Sequence, residues 1–203
     1  MPLFRSKAEA KVRDAGYDPA RLPPGQYLTE KWPILHAGDV AHVDLETWRL
    51  RIFGEVEEEV TLDYEQLRAL PATEITTDIH CVTRWSRFDA DFKGVRWSEL
   101  AKLCRPKPSA HFVIEHAEAG YTTNVPLAAF EQESSLIVYE ADGEPLPIEH
   151  GGPVRAVIPH LYFWKSAKWL NGLELAPADR PGFWERYGYN NDADPWREER
   201  YAF

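Results

Sequence analysis

The sequence predicts an α+β domain with mixed β-sheets and short surrounding helices. Three observations lead there. Runs of about five to seven residues rich in Val, Ile, Thr and aromatics recur along the chain. The helical patterns between them are short, unlike the long crossovers of a doubly wound βαβ array. No repeat, low-complexity block or linker divides the 203 residues, of which 44% are hydrophobic, so one substantial core is expected.

Residues 1–26 alternate charges and small residues up to Pro23-Pro24-Gly25 and read as a polar N-terminal arm, with residues 27–203 as a single domain. Thr47 to Phe53 alternates with period two and reads as a half-buried strand stopped by Gly54, before the solvated acidic run Glu55 to Glu59. Asp63 is placed to cap a short helix ending at Leu70, ahead of Pro71. Glu74 to Cys81 reads as a strand that delivers Cys81 to its end. Ser98 is an N-cap candidate for a helix over Glu99 to Cys104, which makes Cys104 a core residue. Further strands are expected at His111 to Glu115, Tyr121 to Val125, Ser135 to Glu140, Pro153 to Ile158 and Ala167 to Leu175. The segment Phe183 to Phe203 carries Trp184, Tyr187, Tyr189, Trp196 and Tyr201, which must pack on something, most simply on their own domain.

Composition excludes whole classes of partner. A net charge of -10, from 33 acids against 23 Lys plus Arg, disfavours nucleic acid and anionic lipid surfaces. Two cysteines make no disulfide framework, and no apolar stretch approaches the ~20 residues of a membrane span. The first 26 residues show no secretory pattern, so a cytoplasmic, monomeric protein is expected.

Two stretches carry chemistry. In Asp78-Ile79-His80-Cys81-Val82-Thr83-Arg84-Trp85-Ser86, a cysteine follows a strand and precedes cationic and aromatic residues. A thiolate is a soft metal ligand, and Arg84 with nearby Arg87 is expected to favour it over a free thiol of pKa ~8.5. The alternative is a buried structural cysteine. The second stretch, between Glu149 and Glu174, has no acid at all yet contains His150, Gly151-Gly152, Arg155, Lys165, Ser166 and Lys168. Glycines that allow close backbone approach, with Arg and Lys as charge-assisted donors, suit a phosphorylated ligand. The alternative is a basic surface patch. Neither a P-loop nor a dinucleotide fingerprint is present.

These motifs resemble the sulfite oxidase family of molybdopterin enzymes. The Cys81 loop resembles the family's molybdenum-ligand loop. His150-Gly151-Gly152-Pro153-Val154-Arg155-Ala156-Val157-Ile158-Pro159 is similar to its His-Gly-x-Pro-Val-Arg-x-Val-x-Pro stretch. Lys165 to Leu170 matches a segment ending Val-Lys-Trp-Leu, and Gly120 to Leu127 matches Gly-Tyr-x-x-x-x-Pro-Leu. Pro33-Ile34-Leu35-His36 stands where the family has an early histidine. The resemblance covers roughly residues 30–190 and implies a sulfite-oxidase-type fold around Mo-molybdopterin, without haem. It implies Cys81 as the metal ligand and His36, His116, His150, Arg155, Lys165, Ser166, the Ala167 backbone and Lys168 as cofactor contacts. Arg84 and Tyr189 become the catalytic candidates.

Departures from the family shape the substrate expectation. Ile34 stands where sulfite enzymes have an arginine, and Trp85 replaces the second of two arginines after the cysteine. Losing these guanidinium forks disfavours a sulfite dianion. His160 and Phe163 stand where relatives often have glycine. The implied activity is two-electron oxygen-atom transfer on a small sulfoxide or N-oxide, with electrons from a separate protein partner or carrier, as in standalone bacterial members of the family. Alternatives are sulfite oxidation, a non-catalytic pterin or cofactor carrier, an electron-donor role, and a zinc hydrolase. The last lacks paired Cys-x-x-Cys or His-Glu-x-x-His spacing.

Overall fold

A computed structural model describes residues 2–203, with side chains from residue 7 onward. Two sheets carry the architecture. The first contains β1 (Tyr27–Leu28), β4 (Ala72–His80), β5 (Trp85–Arg96), β8 (Leu136–Ala141), β9 (Glu144–Pro145) and β10 (Arg155–Val157). Its main path runs β1-β5-β8-β10, with β4 paired antiparallel to β5. The second sheet has the order β3-β2-β11-β6-β7, from β2 (Leu50–Gly54), β3 (Val60–Leu62), β6 (Phe112–Ala117), β7 (Thr122–Pro126) and β11 (Leu170–Ala176). Only the β1/β5 and β2/β11 pairs are parallel, so both sheets are mixed, as the sequence predicts.

Strand alternation explains how one sheet serves two cores. On β8, Ile137 and Tyr139 join the large core shared with the second sheet, with Leu50, Ile52, Val113, Leu173 and Cys104. Leu136 and Val138 face the other way, towards Ile79, Trp85, Phe92 and Phe163. That second core lies under the end of β4, where Cys81 emerges.

Helix α2 (Tyr64–Arg68) begins as expected: the Asp63 carboxylate accepts from the Gln66 N–H at 2.8 Å, and Gln66 accepts from the Asp63 N–H at 2.9 Å. Helix α3 (Trp97–Cys104) corrects the Ser98 cap. Strand β5 runs straight into it, so Arg96 is the N-cap residue and Ser98 lies inside the first turn. Two short helices were not anticipated, α4 (Leu127–Phe130) and α5 (Phe183–Arg186). Within residues 1–26, the segment read as an arm, lies helix α1 (Pro2–Asp14). It docks through Ala8 and Val12 against Leu22 and Phe88. Arg21 then ties this segment to β4 by a bidentate pair with Asp78, at 2.6 and 3.0 Å.

Candidate active site

Cys81 sits just beyond β4 in a tight loop. Its carbonyl accepts from the Arg84 N–H at 2.9 Å, and its own N–H donates to the Trp85 carbonyl at 2.9 Å. The turn requires a left-handed residue, and Arg84 supplies it with φ 77°. His80, directly before the cysteine, is buried against Ser86 across the β4/β5 pair, with Nδ1 2.8 Å from the hydroxyl. Burial pushes its pKa down to about 4, so it is a neutral packing group.

Cys81, Thr83 and Trp85 line a cavity of about 530 Å³. Arg155, Ser166, Lys168, Trp32 and His36 line it too, with the acids Asp39 and Glu118. Phe163, Trp164, Trp184 and Tyr189 complete an aromatic side. The size is that of a small-molecule site. The charges of Arg155, Lys168 and Tyr189 all interact with that of Cys81, which places the four groups within electrostatic reach of one another.

The acid-free stretch is a buried cationic wall. Arg155, 1% exposed, donates to the carbonyls of Ala156, His150 and Ser166 at 3.1, 2.7 and 2.9 Å. Its guanidinium lies 4.1 Å from the Phe163 ring centre, so Phe163, anomalous in the sequence, provides a cation–π face. Among the described residues no carboxylate pairs with Arg155, and burial pushes its pKa down to about 9. The Lys168 ammonium donates only to the Glu149 carbonyl, at 2.7 Å, and burial with the Arg155 charge brings its pKa to about 7. Burial, helped by the same two cations, holds His150 down at about 4; its Nδ1 is buried without a partner among the described residues, as is the Trp85 indole N–H, but the ring is covered by Trp32 and, against expectation, His150 is not part of the cavity lining. A buried Arg155 and a half-buried Lys168, neither in an ion pair among the described residues, with the half-buried Cys81 on the same cavity, fit an anionic, phosphorylated dithiolene cofactor.

Other expected contacts are corrected. His116 lies on the second sheet, where strand alternation turns Glu115 inward and His116 outward; its Nε2 is 2.8 Å from Glu174 and it does not line the cavity. Lys165, 0% exposed, is held by Glu185 at 2.8 Å and by Asn124 at 2.9 and 3.1 Å, so its charge supports α5 rather than facing the cavity. The Ala167 side chain reaches the cavity wall, but its N–H donates to Glu115 at 2.7 Å and its carbonyl accepts from Ala156 at 3.0 Å. The Gly151 and Gly152 N–H groups are likewise occupied, on the Ile148 and Pro147 carbonyls. These glycines serve close packing: a Cβ on Gly151 would stand 2.8 Å from that of Lys168, and one on Gly152 2.1 Å from the Leu146 carbonyl. Arg84 is exposed and absent from the cavity lining; its charge acts on Tyr162 and Arg200 instead. Arg87 is committed to Asp142, at 2.7 Å to both oxygens. Burial therefore raises the Cys81 pKa, with Thr83 donating to Sγ at 3.2 Å, where the sequence suggested that arginines lower it.

The expectations that hold together in space are Cys81, His36, Arg155, Ser166, Lys168 and Tyr189. His36 is exposed, its Nδ1–H donating to the Gly38 carbonyl at 2.8 Å. Ser166 Oγ accepts from the Ile158 N–H at 2.9 Å, which leaves its own proton free to donate. Tyr189 stacks on Trp184, with centres 4.9 Å apart, and its hydroxyl has no partner among the described residues. The sequence reading missed Trp32, which stacks on His150 at 3.9 Å, and the buried Glu115 and Glu185. For Trp32, its place three residues before the matched Leu35-His36 pair was the available signal. Glu115 and Glu185 carried none: each sits beside a residue the sequence singled out, His116 and Trp184, but nothing local marks either carboxyl as buried.

Comparison with known proteins agrees with this geometry. The family model for the oxidoreductase molybdopterin binding domain matches residues 37–184, and the chain belongs to that family of oxidoreductases. It is 48% identical over 184 residues to the uncharacterized oxidoreductase YuiH of Bacillus subtilis, covering 90% of this chain and 93% of that one. It is 29% identical to human mitochondrial sulfite oxidase, over 82% of this chain but 37% of that longer protein. A putative protein-methionine-sulfoxide reductase subunit, YedZ1, of Azospira oryzae is 27% identical over 86% of this chain and 68% of that one. The fold matches the sulfane dehydrogenase SoxCD of Paracoccus pantotrophus with a TM-score of 0.66 and 20% identity, over 75% of this chain and 43% of that one. Among the described residues no helix is long and apolar enough to cross a membrane.

Proposed function

We propose that this protein is a molybdopterin-dependent oxidoreductase that binds molybdenum through Cys81 and takes an oxygen atom from a small neutral sulfoxide or N-oxide, leaving the sulfide or amine and, with two electrons and two protons, water. The observation that carries the reading is that the half-buried Cys81 lines the same cavity as Arg155 and Lys168, neither of which forms an ion pair within 4 Å among the described residues. When bound, the cofactor would supply the two-electron oxygen-transfer chemistry. Arg155, Lys168, Ser166 and His36 would bind and orient its pterin and phosphate. The Tyr189 hydroxyl is free to donate a hydrogen bond to the substrate oxygen. Trp85, Trp164 and Trp184 would exclude water and form an apolar wall for the substrate's carbon groups. A separate protein or small carrier would exchange the electrons.

A neutral substrate is favoured over sulfite because, among the described residues, the cavity lining holds no spare Lys or Arg. Arg84 and Arg87 lie outside its lining, Ile34 replaces a further arginine, and Arg155 and Lys168 are the cofactor's own donors. Protein from a molybdenum-replete host should contain about one molybdenum per chain. X-ray absorption should show one sulfur ligand fewer in Cys81→Ser and no change in Cys104→Ser, whose thiol lies in the core. Zinc in place of molybdenum, or an unchanged sulfur shell in Cys81→Ser, would sink the proposal. On the same loaded sample, dye-driven reduction of small sulfoxides and N-oxides should exceed ferricyanide-coupled oxidation of sulfite. The reverse order would overturn the substrate assignment alone.

A further inference from the structure

The Cys81 loop is bracketed from behind by two residues distant from it in sequence. Gln26, 1% exposed, donates from Nε2 to the carbonyls of Cys81 and Trp85, both at 3.1 Å. Its Oε1 accepts from Arg200 Nη2 at 3.0 Å. Arg200, 5% exposed, donates from Nη1 to the Val82 carbonyl at 2.8 Å and from Nη2 to the Pro24 carbonyl at 3.2 Å. Its guanidinium carbon lies 4.8 Å from the Tyr162 ring centre. The Arg84 carbonyl is taken by the Tyr27 N–H at 2.8 Å. Four of the five carbonyls from Cys81 to Trp85 are thus held by residues 26, 27 and 200.

Two further observations make this more than loop anchoring. Arg200 forms no ion pair within 4 Å among the described residues, so it is a buried cation, and it is absent from the cavity lining. Gly25, with φ 72°, lets the strap pass: a Cβ there would stand 3.1 Å from Arg200 Nη2 and collide with the Glu198 carboxylate.

We propose that Arg200 and Gln26 are positioning residues for the Cys81 metal ligand, and that the Arg200 charge tunes the potential of the metal the thiolate holds. This rests on the reading of Cys81 as the molybdenum ligand. Gln26 fixes the carbonyls on either end of the loop and so the direction of the Cys81 Cα–Cβ bond. Arg200 places a positive charge behind the thiolate, which opposes electron donation from sulfur to metal and favours the reduced centre. Arg155 and Lys168, which would retain the cofactor, are untouched by changes at either residue.

The test uses full-length, molybdenum-loaded protein carrying Arg200→Met, Arg200→Lys or Gln26→Leu. Metal content, the paramagnetic resonance spectrum of the half-reduced centre and its midpoint potential are measured for each. Arg200→Met should keep wild-type metal content but lower the potential, by about tenfold in the one-electron reduction equilibrium, ~59 mV. Arg200→Lys keeps the charge and loses the fork, so its potential should stay near wild type while its spectrum changes. Gln26→Leu should alter the spectrum with little change of potential. Wild-type spectra and potentials in loaded Arg200→Met and Gln26→Leu would overturn the inference. Should Arg200→Met fail to fold, a wild-type spectrum in both Arg200→Lys and Gln26→Leu would overturn it equally. Loss of the sulfur ligand in Cys81→Ser alongside those wild-type results would leave the proposed function standing. An unchanged sulfur shell in Cys81→Ser would remove the function itself.

Discussion

Lys168 should give the protein two opposite pH dependences, one for folding and one for cofactor retention. Burial beside Arg155 takes its pKa from an ordinary 10.5 to about 7 in the cofactor-free fold. Between these values the unfolded chain binds the extra proton and the folded chain does not, so stability rises with pH across about 7 to 10.5. Below pH 7 both states are protonated and the full cost of burying the charge is present. At ~1.4 kcal/mol per pH unit the upper bound on that cost for this half-buried group is ~5 kcal/mol, of which at most ~2.3 kcal/mol is relieved between pH 7 and pH 9, because the folded-state lysine is already half deprotonated at pH 7. An anionic phosphate near Nζ restores the charged form, so loading takes up a proton. Retention should then weaken above pH 7, by at most tenfold per pH unit. Lys168→Met keeps much of the apolar stem and removes both effects. Urea denaturation of cofactor-free protein should show wild type gaining at least ~1 kcal/mol on the variant between pH 7 and pH 9. Loaded wild type dialysed at pH 6.5 and 8.5 should lose more molybdenum at the higher pH, with the variant insensitive. Parallel pH curves for the two proteins in both assays would refute the argument that this lysine is a buried cation awaiting an anion.

Glu115→Gln should act in the opposite sense on folding: burial raises this carboxyl to about 8, so wild-type stability falls from its ordinary value of 4.5 up to 8. The variant, neutral throughout, should flatten that slope by at most ~5 kcal/mol, read by the same denaturation series. Gly152→Ala, whose Cβ would meet the Leu146 carbonyl at 2.1 Å, should cost about 2–3 kcal/mol and lower Tm by several degrees in a thermal melt. His116→Phe should leave molybdenum content at the wild-type level, because the ring faces Glu174 on the far sheet; metal loss there would return His116 to the site. The loop of residues 30–46, anchored chiefly by Trp32 on His150, Phe92 and Phe163, should be cleaved by a protease faster in cofactor-free than in loaded protein.

The sequence alone determined the strand that presents Cys81, the Asp63 cap, most of the short strands and the location of the acid-free stretch. These are local properties: period-two alternation, capping chemistry and the charge of neighbouring residues reveal themselves within a few positions. It also identified the cations of the cavity wall, because in a chain of net charge -10 an acid-free stretch of 24 residues is a departure from composition. Which of those cations faces the cavity was a tertiary matter. Lys165 and Lys168 lie three residues apart, yet Glu185 from the C-terminal segment claims the first and leaves the second to the Glu149 carbonyl. His116 matched a loose pattern and was turned away by the parity of β6, a single step in strand register. Arg84 was assigned to the cavity from adjacency to Cys81, but the left-handed turn that shapes the loop sends its side chain elsewhere. Gln26 and Arg200 illustrate the same limit. They close on one loop from 55 and 118 positions away, a pairing made by tertiary contact that no local pattern encodes.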